Sequence, residues 1–473
     1  MEYISLLIKI DCMVSMNCTV TVDGQNDSPF LQVDKTKVYI PLEYEFLFPY
    51  ILTLQNAPVS IDMLCDEVVK QHSFAGITQF YRFLDYLSSN GVLLFHIPGI
   101  IEMCPMNSKI AGNKPKLMAN TRYRLSRFSF MRNWGQGLYL ESALNPVQIN
   151  ILDKRLKEFI TRSEGVTLEN LECFDEAEKI KLCNALLLFL NYMLIEPDGK
   201  ELQKLRYWEF HDLLLHGRSR AGSNVAGFGP TYRFENPAPP ALEDEPDGRP
   251  VVQLKKPDIE HYVSKSPSFF CITENRFSHR DYSENPMALS DLEALLYLSS
   301  RVKSRYNSES YEATSRPYPG GGALYELELY LSVNRCTSLE PGVYHYSPEA
   351  HALYLVSEVN AKTERLWYEA SKAAQCSNFH VLLSICARID RVMWKYEALA
   401  YSLILKDCGV FMQNFCLACS ALGLGSCMLG TGSSFSLSGI TGNDIYIEVP
   451  VGELVFGVPV KNFLPAEPNR VLP

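Results

Sequence analysis

The chain has 473 residues, of which 47% are hydrophobic and 21% charged. That is the balance of an ordinary globular protein, and the length suits two or three domains. A formal net charge of −10 argues against a general nucleic-acid binder, which presents a basic face. No apolar run reaches the roughly 20 residues of a membrane helix; the nearest, 182–195, is interrupted by Asn184 and Asn191. The segment MEYISLLIKIDCMVS is too polar and acidic for a signal peptide. Fourteen scattered cysteines read as buried thiols in a reducing cytoplasm. The CxxC pair Cys416 and Cys419 lies in an apparent helix and reads as core packing, and no metal site is expected.

In chain order, a strand over Lys37 to Ile40 precedes a helix-like segment, Tyr44 to Gln55, that contains Pro49, and Asn56-Ala57-Pro58 breaks the pattern. SIDMLCDEVVKQH predicts a helix with Ser60 as N-cap. A further helix from Ile77 ends near Asn90 and Gly91, and the strand VLLFHI follows. Helix, turn, helix, strand predicts a winged-helix-like module over 1–110. A weaker copy of the pattern spans 111–200, with NPVQINILDKRLKEFI as helix, VTLENLECF as turn-helix and DEAEKIKLCNALLLFLNYMLIEP as helix and strand. Between the two, TRYRLSRFSFMRN carries Arg122, Arg124, Arg127 and Arg132. It reads as a solvated strand pair or, more sharply, as a surface for an acidic peptide. A third domain covers 201–473. It opens with a helix in RYWEFHDLLLHGRSRAG, followed by an extended proline-rich and acidic loop over 235–250.

Four elements of that domain carry chemistry. In NRFSHR, Arg276, Ser278 and Arg280 alternate, which turns two guanidinium forks and a hydroxyl to one side, suited to a phosphate or polyhydroxyl chain. SRPYPGGGALYELELYL places Pro319, Gly320, Gly321 and Gly322 before an alternating strand, Leu324 to Leu331. Consecutive glycines let a flat ligand lie against the backbone. WKYEALAYSLILKDCGVFMQNFCLACSALGLG reads as one long helix after the buried strand VLLSICARI. Lys395 and Tyr396 at its start form a candidate proton-transfer pair, and Gln413 and Asn414 interrupt its apolar run as cofactor or interface contacts. GLGSCMLG, with Gly423 and Gly425, is a glycine turn whose free N–H groups suit an anion or ring edge. It is not a GxGxxG fingerprint, and no P-loop occurs.

In this order the four elements resemble the SagB-type dehydrogenases of the nitroreductase-like flavoprotein superfamily. The pattern Arg-x-Ser-x-Arg is matched at 276–280, Pro-Ser-(Gly/Ala)-Gly-Ala-Leu-Tyr-Pro at 319–326, "pGvYhY" at 341–346 and Lys-Tyr at 395–396. Gly320 replaces the usual serine and Glu326 the usual proline. With the N-terminal modules, the architecture is most similar to the cyanobactin azoline oxidases.

The resemblance implies an α+β chain, in which a nitroreductase-like domain with a mixed, mainly antiparallel sheet follows two winged-helix-like peptide-recognition modules. It implies FMN, a cytoplasmic homodimer with flavin sites at the interface, and an azoline-containing precursor peptide oxidised to azole. A leader peptide would add to the wing near 77–95. Arg276, Ser278 and Arg280 would hold the phosphate, ribityl chain or pyrimidine edge, and Pro319, Gly320 and Gly321 would bound the ring. Gln413, Gly423 and Gly425 are further cofactor contacts. Lys395 and Tyr396 would handle protons, Lys395 as base if burial lowers its pKa. An NAD(P)H-dependent nitroreductase and a non-catalytic peptide scaffold are the competing readings.

Overall fold

The computed structural model describes residues 7, 12–16, 30–33, 36–105, 116–134, 137–198, 203–220, 227–234, 236–242, 248–308 and 310–460. The chain divides into two compact units, Met1–Thr231 and Tyr232–Pro473.

The first unit contains β1 (Met13–Met16), β2 (Phe30–Val33), β3 (Thr36–Tyr39), β4 (Val59–Ser60), β5 (Leu93–Ile97), β6 (Ile101–Pro105), β7 (Tyr123–Leu125), β8 (Ser129–Trp134), β9 (Gly137–Ser142), β10 (Val147–Ile151) and β11 (Ile195–Pro197). Seven of them make one sheet in the order β4-β1-β5-β6-β10-β9-β8. The expected segments 1–110 and 111–200 therefore share a sheet, joined where β6 runs antiparallel to β10 from Ile101↔Ile151 to Pro105↔Val147.

Pro49 falls in the first turn of the helix Phe48–Asn56, where a missing N–H costs no hydrogen bond. It starts that helix instead of breaking it. The two helices expected next are one element, Ile61–Ser89, kinked at Ser73 (φ 60), and Ser60 at its N-cap makes no side-chain cap bond. One expectation fails. NPVQINILDKRLKEFI is strand before it is helix: Val147, Ile149 and Ile151 are fully buried on one face of β10, which is period two. The helix Lys154–Thr161 begins only after Asp153, whose side chain accepts from the Arg155 and Leu156 N–H groups.

The arginine-rich segment also turns inward. Arg124 pairs with Asp198, Arg127 donates to the carbonyls of Trp208 and Leu205 at 2.8 and 2.9 Å, and Arg132 meets the fully buried Glu141 at 2.5 Å. Arg218 meets Glu141 from the other side at 2.8 Å. Arg124, Arg127 and Arg132 are thus held within the unit, while Arg122 is exposed.

The second unit contains β12 (Val251–Gln253), β13 (Ser304–Asn307), β14 (Glu312–Ser315), β15 (Leu327–Val333), β16 (Gly342–Ser347), β17 (Ala352–Glu358), β18 (Val381–Arg388), β19 (Gly425–Leu429) and β20 (Glu448–Gly457). The main sheet runs β12-β17-β16-β15-β18-β20-β19. Every strand pair in it is antiparallel, where a mixed sheet was expected. Parallel pairing is confined to isolated bridges such as Ser278↔Ser426.

All seven residues of β15 are buried, because both faces of the sheet are covered. On one face Leu329, Leu331, Leu383 and Ile385 pack with Ile404, Phe411 and Phe415 of the helix Ala400–Ala421. On the other, Tyr330, Leu382 and Val455 pack with Leu366, Ala370 and Leu437. The described part of the proline-rich loop is pinned down. Arg391 donates to the Pro239 carbonyl at 2.5 Å, Arg388 to Pro240 and Ala241 at 3.0 and 3.1 Å, and the Trp394 indole to Asn236 at 2.8 Å. Residues 235 and 243–247 of that loop lie outside the described residues.

Candidate active site

Antiparallel pairing decides what meets at each end of the second sheet. Leu327 at the start of β15 lies opposite Ala387 near the end of β18. The glycine loop entering β15 and the turn leaving β18 therefore occupy the same end. Lys395 and Tyr396 are in that turn, between the helices Ile389–Met393 and Ala400–Ala421, rather than in the long helix itself.

The loop and the pair touch. Gly322 has φ +63, and a β-carbon there would lie 2.6 Å from Tyr396 Oη and 2.9 Å from Lys395 Nζ. A β-carbon on Gly321 would lie 2.5 Å from Leu403, and one on Gly320 3.0 Å from the Tyr325 ring. The missing side chains thus admit the Lys–Tyr pair to the backbone, where the sequence suggested room for a ligand alone. Lys395 is 9% exposed. Its Nζ donates to Tyr311 Oη at 2.7 Å, and that hydroxyl donates to the Gly322 carbonyl at 2.7 Å. Burial pushes the ammonium pKa down, but the Tyr311 hydrogen bond and the Tyr396, Tyr311 and Tyr232 phenols outweigh it, and the net shift is upward. The condition for Lys395 as a resting base, a lowered pKa, is not met.

Behind the loop, Asp407 accepts from the Gly321 N–H at 2.8 Å, and its charge acts on the neighbouring Glu326. Glu326 is fully buried, and burial together with the Asp407 charge raises its pKa to about 7. Asp407 is also raised, mainly by burial. Pro319 is exposed at the loop's entrance.

The remaining predicted residues gather at the opposite end. Ser278 bridges Ser426 in parallel, and the His279 N–H donates to the Ser426 carbonyl at 3.0 Å. A β-carbon on Gly425 would lie 2.7 Å from the His279 ring, whose pKa falls to about 4 through burial and the Arg276 charge. Gly423 (φ +72) closes the long helix, but from Gly425 onward the segment is β19, not the open turn expected. Ser278 and Arg280 are exposed and Arg276 half-buried, a hydroxyl and two cations of the kind that bind phosphate.

Gly425 pairs with Gly457, and Phe456 pairs with Val381 at the start of β18, far from Ala387. Along the long helix, Asp407 contacts one cluster and Ser420, which donates to the Ile272 carbonyl at 3.4 Å, borders the other. Their separation is about 20 Å at 1.5 Å per residue. Gln413 is exposed on that helix between the clusters, whereas Asn414 is spent on the Ser299 carbonyl at 3.1 Å. Cys416 and Cys419 are both buried in it.

Sequence reasoning missed Tyr311 and Asp407. Tyr311 carries no local signal, because its partner is 84 positions away. Glu326 was visible only as a departure from the expected proline.

Comparison with known proteins bears on both units. Residues 123–224 match the family model described as cyanobactin oxidase ThcOx, and residues 273–458 match the nitroreductase family. The chain is 27% identical over 184 residues to MJ1384 of Methanocaldococcus jannaschii, named as a nitroreductase, covering 38% of this chain and 84% of that one. It is 27% identical over 145 residues to the microcin B17-processing protein McbC of Escherichia coli, covering 30% of this chain and only 51% of McbC. Among solved structures, a chain of the E. coli microcin synthetase McbBCD complex with truncated pro-MccB17 is 25% identical, with a TM-score of 0.34 over 39% of this chain and 69% of that one. Both family regions, in this order and with the motifs above, make the chain similar to the SagB-type, cyanobactin-oxidase-like members of the nitroreductase superfamily.

Proposed function

We propose that this protein is an FMN-dependent azoline oxidase that converts thiazoline or oxazoline rings of a ribosomally made peptide to thiazole or oxazole, with oxygen as electron acceptor. The observation that carries the reading is the Lys395–Tyr396 pair set against Gly322. A reductase that takes its hydride from NAD(P)H has no need of a cation and a phenol at that point. FMN, when bound, supplies the two-electron acceptor that ring oxidation requires. The residues fit it in two parts: Arg276, Ser278 and Arg280 present donors for its phosphate, and the loop 319–322 presents a side-chain-free edge. Tyr396 Oη, and Lys395 Nζ once it has released its own proton, hold and move the ring proton.

The two parts lie at opposite ends of one helix, so one chain supplies two half-sites. A homodimer that sets the glycine loop of one copy beside the Arg-Ser-Arg segment of the other completes both. In the first unit, the helix kinked at Ser73 and the β5–β6 hairpin that follows it support a reading as a peptide-recognising winged helix. We read 1–110 and 111–200 as two such modules sharing a sheet, and the chain as cytoplasmic. Among the described residues no helix is long and apolar enough to cross a membrane.

The test is incubation of the purified chain with an azoline-containing peptide, without NAD(P)H. Loss of two hydrogens' mass per ring supports the oxidase. The similarity to MJ1384 favours a nitroreductase as second reading, and an unchanged peptide alongside nitroarene reduction with NADPH would establish it. Lys395→Ala protein that keeps flavin yet oxidises at the native rate removes Lys395 from the chemistry.

A further inference from the structure

Tyr311 lies outside every motif that defines the site, yet it is the group on which Lys395 rests. It enters from the segment before β14, and its ring is fixed from two sides: Trp394 packs edge-on at 6.1 Å and the Arg391 guanidinium stands 5.7 Å from its centroid. Lys395 Nζ lies 4.6 Å from the same ring and 2.7 Å from its hydroxyl. The direction of the hydrogen bonds follows from valence. The Gly322 carbonyl can only accept, so the Tyr311 proton points there, and the oxygen is left to accept from Lys395.

We propose that Tyr311 is a positioning residue that holds Lys395 as an ammonium against the glycine loop, through the relay Lys395 Nζ–H to Tyr311 Oη–H to the Gly322 carbonyl. The catalytic meaning of this inference rests on the oxidase reading, but its geometry does not. The other groups facing Nζ are the Tyr396 and Tyr232 phenols, and the Arg391 guanidinium stands over the Tyr311 ring. A phenol oxygen that accepts from the ammonium stabilises the charged form over the neutral amine. Lys395 therefore enters the cycle as a proton donor or fixed cation, and it can take a ring proton only after releasing its own.

The experiment compares the full-length wild-type chain with Tyr311→Phe. A small amine-acylating reagent is applied over a pH series, and labelling at Lys395 is read by peptide mass spectrometry with exposed Lys256 and Lys265 as internal references. In the wild type the Lys395 titration midpoint should lie above those of the references. In Tyr311→Phe it should move down, raising the neutral fraction at a fixed pH about three- to tenfold, the worth of one ordinary hydrogen bond. Using the midpoint rather than the rate separates protonation from access. A wild-type midpoint at or below the references overturns the proposal, as does a Tyr311→Phe midpoint equal to the wild type. The wild-type arm can overturn the proposal even if the variant does not fold. Azoline turnover on the same samples keeps the two readings apart: absent turnover with a shifted midpoint removes the oxidase and leaves Tyr311 in place.

Discussion

Gly320 and Gly322 stand two residues apart in one loop, and their surroundings demand opposite things. Gly322 has φ +63, and a β-carbon would collide with Tyr396 Oη and Lys395 Nζ. Gly322→Ala therefore carries a left-handed backbone penalty of about 1 kcal/mol and drives the Lys–Tyr pair from its place. Misplacement by about 1 Å can cost on the order of 100-fold in rate, so azoline oxidation should fall by that order while circular dichroism stays native. Gly320 is extended at φ −137, a conformation open to any residue, and the atoms nearest a β-carbon there belong to the Tyr325 ring, at 3.0 Å. Gly320→Ser should fold and retain at least as much flavin as the wild type, measured by absorbance after desalting. A serine variant that loses flavin would show that the glycine here is required, and that the loop differs from its relatives in more than one contact.

At the level of elements, the site was legible where chemistry and local pattern coincide. The glycine loop, the Lys–Tyr pair and the strand VLLSICARI could be read directly, and their meeting follows from β15 lying antiparallel to β18. What local pattern does not encode is a partner brought from far along the chain, which is why Tyr311 and Asp407 were missed. VQINI was misread because its period-two burial runs straight into a helix, with only Asp153 marking the boundary. The same sheet carries a pH dependence that its strand sequences alone do not reveal. Glu326 and Glu453 are buried acids, each raised to about 7, chiefly by burial. In the folded chain they hold protons that the unfolded chain releases near pH 4.5. Their contribution is therefore full below that pH and lost as pH rises through 7. His279, lowered to about 4, works in the opposite direction up to its ordinary pKa near 6.5. The clean window is thus pH 6.5 to 8, where urea midpoints should fall as pH rises, and Glu326→Gln should flatten that slope. A slope unchanged in the variant would mean that Glu326 is already ionised in the native state.

On the scale of the whole molecule, the proposed function requires two residue clusters about 20 Å apart along one helix to serve one cofactor. The helix that separates them buries one face, with Ile404, Phe411 and Phe415 fully covered, and leaves Leu405 and Val410 about two-fifths exposed on the other. Between these two, a β-carbon on Gly409 would meet nothing within 4 Å, so a second helix can approach the backbone there. A two-fold axis passing that point sets the helix antiparallel to its copy. In the proposed dimer this brings the turn before each helix, with Lys395 and Tyr396 against Gly322, toward the Ser420 end of the other, and so the loop 319–322 toward Arg276, Ser278 and Arg280. Val410→Glu places a charge at the centre of that contact without touching either half-site, and because Val410 is exposed in the single chain its folding should be unaffected. Light scattering after size exclusion should give a dimer for the wild type and a monomer for Val410→Glu, with thermal unfolding still cooperative. Flavin should be lost in step with the dimer, because each copy then holds only half of each site. A monomer that keeps its flavin would show that one chain closes the site alone; a dimer that survives the charge would place the interface on another face.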